Sequence, residues 1–110
     1  MEELLKNANE FLDSGNDNFI KERYNVAVSD FFKTIAILSD YLIYTKIKSL
    51  PKNHNDRFHY LKLYFGDIYS HVSFLFKTYT NSYNLRLNKG DAEKVRDYAN
   101  ELKNIITNKK

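Results

Sequence analysis

A chain of 110 residues has room for one domain and none for a separate catalytic lobe, which excludes most two-domain enzymes. Seventeen Lys and Arg against fourteen Asp and Glu leave a net charge of +3, too small a surplus to imply nucleic-acid binding by itself. With no Cys, disulfides, thiolate metal sites and Cys nucleophiles are excluded together, and a reducing, cytoplasmic setting is expected.

Eight Phe and nine Tyr supply enough aromatic surface to stabilise a core, which argues against disorder. One Pro and three Gly leave few breaks, and the stretches between them suit helices. The expected fold is all-α, a single domain built as an up-and-down antiparallel bundle of four to five helices. No run of apolar residues is long enough to span a bilayer, and the acidic start MEELLKNANE does not resemble a signal peptide. No membrane association is expected.

The first helix is expected over Glu2 to Ser14, with Leu4, Leu5, Ala8, Phe11 and Leu12 on one face and Gly15 as a left-handed stop. From about Asn18 a second helix carries Ile20, Tyr24, Ala27, Phe31, Ile35, Leu38 and Leu42 at steps of three and four. A second apolar line, Val28, Phe32, Ile37, Tyr41 and Tyr44, runs beside it. Such a helix needs covering on two sides, either by the chain's own neighbours or by a second copy in a dimer. Pro51 ends it a residue or two earlier, and a loop of about six residues is expected to follow. Phe58, Leu61, Phe65, Ile68, Val72, Leu75 and Tyr79 then give the most regular stripe, interrupted by Gly66, where a bend or a break into two helices is expected. Asn88, Lys89 and Gly90 mark the next turn. Asp91 is the expected N-cap of a last helix carrying Val95, Tyr98, Leu102 and Ile105 and ending at Lys109 and Lys110, where the helix dipole favours positive charge.

The charge is unevenly spread. Residues 1–17 hold five acids, Glu2, Glu3, Glu10, Asp13 and Asp17, against Lys6. Residues 41–66 hold five bases, Lys46, Lys48, Lys52, Arg57 and Lys62, against Asp56, with His54, His59 and several Tyr interleaved. Clustered cations with aromatic neighbours attract polyanions and stack on bases, although an ordinary solvated corner also looks like this. The candidate nucleotide or RNA contacts are Lys52, His54, Arg57, His59 and Lys62, with Lys46 and Lys48 adding to the positive field. No nucleophile triad, phosphate-binding Gly-rich loop or dinucleotide fingerprint is present. Asp67 and His71 share a helix face at i, i+4, but two ligands make a poor metal site and a local hydrogen-bonded pair is the simpler reading. No cofactor and no metal are expected.

The stretch RYNVAVSDFFKTIAILSDYLIYTKIKSLPKNHNDRFHYLK resembles the HEPN superfamily. The resemblance lies in Tyr24-Asn25-Val26-Ala27-Val28-Ser29, the paired Phe31-Phe32, a long helix, the Pro51-Lys52-Asn53-His54 loop, the later YTNSYNLR stretch from Tyr79 to Arg86, and a closing amphipathic helix. It implies a helical bundle that pairs as a homodimer and often works beside a small nucleotidyltransferase, as toxin and antitoxin or as a nucleotide-binding accessory. Active members of that family are implied to cleave RNA without metal, using an Arg followed after a short spacer by a His, one holding phosphate and the other moving protons.

That pair is not found here. The closest match is Lys52 before His59, and Lys lacks the planar bidentate grip of Arg. If Ser29 marks the usual place of the motif, the Arg position falls on Asp30, which repels phosphate, and the His position on Ile37, which has no proton to exchange. The expected function is therefore a non-catalytic, dimeric binding module for a nucleotide, RNA or a protein such as a small nucleotidyltransferase. The alternatives are a divergent metal-independent ribonuclease using His54 or His59 with Arg57, and a purely structural helix-interaction protein.

Overall fold

The N-terminal half is organised by how closely two helices approach. In a computed structural model describing residues 1–108, α1 spans Glu2–Ile20 and α2 spans Tyr24–Ile47. Gly15 does not stop α1, as its sequence position suggests. It lies buried inside the helix, where a Cβ would stand 2.6 Å from Cδ1 and Cε1 of Phe31 on α2. Glycine is there for close approach rather than for a turn. The chain reverses later, at residues 21–23, with Glu22 in the left-handed region at φ 59 and the Arg23 amide donating to the Asn18 carbonyl at 2.8 Å. Asn18 and Ile20 thus belong to α1, and Ile20 is 79% exposed instead of leading the core stripe.

Contacts between α1 and α2 run in opposite directions along the two helices. The Thr34 hydroxyl donates to the Ala8 carbonyl at a long 3.4 Å, the Lys33 ammonium lies 5.5 Å from the Phe11 ring centre, and Ser14 Oγ and Asn18 Nδ2 donate to Asp30 Oδ2 at 2.7 and 3.0 Å. Residue numbers climb on one helix as they fall on the other, so the pair is antiparallel.

After α2 come α3 (His54–Tyr64), α4 (Gly66–Asn81) and α5 (Lys89–Asn108), with no strand among the described residues. Among those residues no helix is long and apolar enough to cross a membrane. The break expected near Gly66 is real: Phe65 leaves the helical region at φ −141 and ψ 62, and α4 starts at Gly66. Asp91 is not the N-cap of α5. Asn88 holds that place, its Oδ1 accepting from the Asp91 amide at 2.9 Å while Asp91 Oδ2 accepts from the Asn88 amide at 3.0 Å, a reciprocal capping box. Lys109 and Lys110, expected at the C-terminal end of α5, lie outside the described residues.

α2 packs against each of the other four helices, and its Phe31, Phe32, Ile35 and Ile43 are almost completely buried. The chain's own helices cover part of its second apolar line. Phe32 stacks on Tyr79 of α4 at 4.8 Å, and Val28 is 0% exposed. The five-residue step from Phe32 to Ile37 carries the line around the helix, leaving Ile37, Tyr41 and Tyr44 half-buried. Asn25 ties the loop before α5 to the start of α2: its Nδ2 donates to the carbonyls of Ser82 and Leu85 at 2.8 and 2.6 Å, and its Oδ1 accepts from the Leu87 amide at 3.0 Å.

Candidate functional site

Pro51 and the residues around it end α2 sooner than the Pro rule alone implies, because Lys48 adopts a left-handed C-cap at φ 59 with its amide on the Tyr44 carbonyl. The loop that follows, residues 48–53, has the expected length but leads into helix one turn before the apolar stripe that begins at Phe58. Asn53 caps α3, its Oδ1 accepting from the Asp56 amide at 2.9 Å, and Asp56 Oδ2 accepts from the Lys52 amide at 3.1 Å. Helix therefore starts at His54, and Arg57 falls one turn further along the same face.

That local geometry assembles the site. Arg57 grips Asp40 of α2 with two parallel bonds, Nε to Oδ1 at 2.7 Å and Nη2 to Oδ2 at 3.0 Å. The two side chains are only 12% and 16% exposed, so this is a desolvated, charge-assisted pair. The third nitrogen, Nη1, donates to Nδ1 of His54 at 2.6 Å. A guanidinium has no lone pair to offer, so Nδ1 accepts and the imidazole is neutral with its proton on Nε2. Partial burial pushes the His54 pKa below its ordinary value, the Arg57 charge adds to that, and Asp40 opposes it.

Around this triad the walls are aromatic. The His54 ring lies 5.0 Å from Phe76 and 6.3 Å from Phe58 and Tyr79. The Tyr79 hydroxyl is 2.8 Å from that of Tyr83. Burial and this bond push the Tyr79 phenol up to about 12, so it stays protonated at neutral pH. An open cleft of about 260 Å³ results, lined by Phe11, Phe32, Lys33, Ala36, Ile37, His54, Arg57 and Tyr79. This is the scale of one substituted ring system, just below the usual range for small-molecule pockets.

Of the five sequence-derived contacts, His54 and Arg57 line the cleft and meet each other. Lys52 is exposed ahead of α3. His59 is exposed and packs edge-on against Tyr60 at 5.4 Å, and Lys62 lies 5.9 Å over Tyr69; neither lines the cleft. Lys46 and Lys48 are exposed over Tyr64 and Tyr44, at 5.8 and 5.9 Å. The interleaving of Lys and Tyr is thus physical contact, with about 0.5–1 kcal/mol available per exposed cation–π pair.

The sequence reading missed Asp40, Lys33, Phe11 and Tyr79. Asp40 did leave a signal: an acid amid the apolar residues 35–44 needs a cation, and Arg57 is it. Asp30 and Ile37, at the places where the implied motif wants Arg and His, behave differently from each other. Asp30 is buried and occupied by its bonds to Ser14 and Asn18, whereas Ile37 lines the cleft. His71 does not pair with Asp67 but stacks on Tyr98 at 4.7 Å. Among the described residues no three His, Asp or Glu gather into a metal-holding group. No family model, curated protein or solved structure matches this chain, so the chemistry of the site rests on its geometry.

Proposed function

We propose that the chain is a non-catalytic, HEPN-like single-domain bundle of up-and-down helices that pairs as a homodimer and binds a nucleotide or RNA at the cleft between α2, α3 and α4. A protein such as a small nucleotidyltransferase is the partner that the resemblance implies. We assign it to the cytoplasm, where a chain without Cys loses nothing to reduction. The observation that carries the non-catalytic reading is the state of Arg57. Three of its five donors are committed, two to Asp40 and one to His54, so a scissile phosphate meets a guanidinium already neutralised by a carboxylate.

Binding is supported by the cleft's composition. The rings of His54 and Tyr79 line the cleft, one exposed and the other half-buried, and are the surfaces on which a base would stack, and Lys33 and the exposed Lys46, Lys48, Lys52 and Lys62 supply a positive approach. Titration of a labelled mononucleotide and a short single-stranded RNA at low and moderate salt tests this. RNA binding that weakens as salt rises, and weakens again by roughly fivefold with Lys33→Ala, is expected for one lost phosphate contact. No binding of either probe at low salt removes the nucleic-acid reading.

A divergent metal-independent ribonuclease is the second reading, favoured by one specific observation: His54 is neutral and sits against Arg57 in a cleft, as a general base beside a phosphate-binding cation does. RNA cleavage that His54→Ala abolishes and His59→Ala spares supports it. A wild-type chain that leaves RNA intact removes it.

A further inference from the structure

Two hollows open along the groove between α4 and α5. One, of about 340 Å³, is walled by Phe65 and Ile68 and, from α5, by Ile105. The other, of about 350 Å³, is walled by Phe74, Leu75 and Tyr98, and Phe74 is 67% exposed, an unusual state for a large aromatic. The His71 ring lies on Tyr98 at 4.7 Å and joins the two helices between the hollows. Ile68 and Leu75 stand about 10.5 Å apart along α4. Side chains at i and i+7 of any other helix have the same separation, so a helix lying in the groove can fill both hollows at once. None of these residues lines the His54 cleft.

Charge selects the kind of helix. Asp67 borders one hollow, Asp97 and Glu101 border the other, and Lys94 is the one lysine or arginine among the described residues that line them. Asp97 is already engaged by its neighbour Arg96 at 3.0 Å. Asp67 and Glu101 take part in no ion pair among the described residues. Both act on the middle of the groove: burial first, then Glu101 and Asp67, push the Tyr98 phenol up to about 12. Two uncompensated carboxylates near an aromatic floor favour a cation above it and disfavour nucleic acid or an anionic membrane.

We propose that the α4–α5 groove docks a basic amphipathic helix of a partner protein. Apolar side chains at i and i+7 of that helix fill the two hollows, and a Lys or Arg about one turn from each lies over the His71–Tyr98 pair, within reach of Asp67 and Glu101. The apolar anchors supply the affinity, and the charges set register and sign. This surface is separate from the His54 cleft and does not depend on what that cleft binds.

A display library of five-turn helical peptides randomised on one face, selected on the full chain, tests this. Binders are expected to carry apolar residues at i and i+7 with Lys or Arg between them. Their affinity is expected to fall about tenfold with Phe74→Ala, the scale of one lost anchor, and several-fold with Glu101→Lys, while Lys52→Glu, outside the groove, leaves it unchanged. Both groove positions are exposed, and unchanged helical circular dichroism confirms that the variants fold. Exchanging the peptide's cation for Glu is expected to abolish binding to wild type and to restore it to the Asp67→Lys, Glu101→Lys chain. A selection without binders sensitive to Phe74→Ala overturns the docking surface. Sensitive binders that are acidic or uncharged between their apolar residues overturn the basic partner. Self-association in sedimentation equilibrium that Phe74→Ala removes puts a second copy in the groove and overturns the proposal.

Discussion

Replacing Gly15 by Ala sets two effects of opposite sign against each other, and the structure decides between them. In an exposed helix interior the substitution gains about 1 kcal/mol of propensity. Here the new methyl would lie 2.6 Å from two ring carbons of Phe31 and 3.2 Å from a third, against an optimal carbon–carbon separation of about 3.5–4.0 Å. Phe31 is 0% exposed and has no room to turn aside, so α1 and α2 must separate by about 1 Å. That separation also strains the Ser14 and Asn18 bonds to Asp30. Overpacking of this kind costs about 1–3 kcal/mol, and with the stretched bonds it outweighs the propensity gain. The expected net loss is about 1–2 kcal/mol, or a fall in Tm of about 5–10 °C for a domain of this size. Urea denaturation followed by circular dichroism measures it, and Phe31→Leu in a double-mutant cycle should show a coupling of about 1 kcal/mol as the smaller side chain makes room. A Gly15→Ala protein more stable than wild type by the full propensity value would refute the close-approach argument.

Other perturbations read other parts of the molecule. Ser39 is fully buried and its Oγ has no hydrogen-bond partner among the described residues, so Ser39→Ala should be neutral or stabilising by up to about 1 kcal/mol in chemical denaturation, and a clear loss would contradict this. Arg57→Met leaves the Asp40 carboxylate desolvated and alone and should cost about 2–4 kcal/mol; adding Asp40→Asn should recover part of it. Because the folded His54 pKa lies below its ordinary 6.5, the unfolded chain binds more protons between the two values. The His54 contribution is therefore complete above about pH 6.5 and is lost as pH falls toward the lowered folded value. His54→Gln should flatten that part of the stability profile, and an unchanged slope would place the titration elsewhere. Asn25→Ala removes three hydrogen bonds that hold residues 82–87 and should cost about 2 kcal/mol, with faster amide exchange in that loop as the independent readout.

Helical periodicity was readable residue by residue wherever a helix has one wet face. The stripe through Phe58, Leu61, Phe65, Ile68, Val72, Leu75 and Tyr79 marks the buried or half-buried side of α3 and α4, and the break near Gly66 was visible in it. Boundaries that depend on a partner were not readable. Gly15 has the local chemistry of a stop, and only the Phe31 ring across the interface makes it a contact point. His54 and Arg57 were recognisable as candidates, yet their meeting depends on Asn53 and Asp56 starting a helix one turn earlier than the apolar pattern indicates. Lys33, Asp40 and Tyr79 come from residues far apart in the chain, so no local spacing relates them to His54.

Composition and charge confine this chain to a small, Cys-free helical molecule with an acidic first helix and a basic central corner, because propensity, periodicity and net charge are sums over neighbouring residues. Which cations remain free is a different kind of property. Arg57, one of five bases in the basic corner, is neutralised by Asp40 and turned onto His54, while the four lysines stay exposed. Only the packing of α3 on α2 decides that, since an ion pair depends on distance through space and on the water removed from around it.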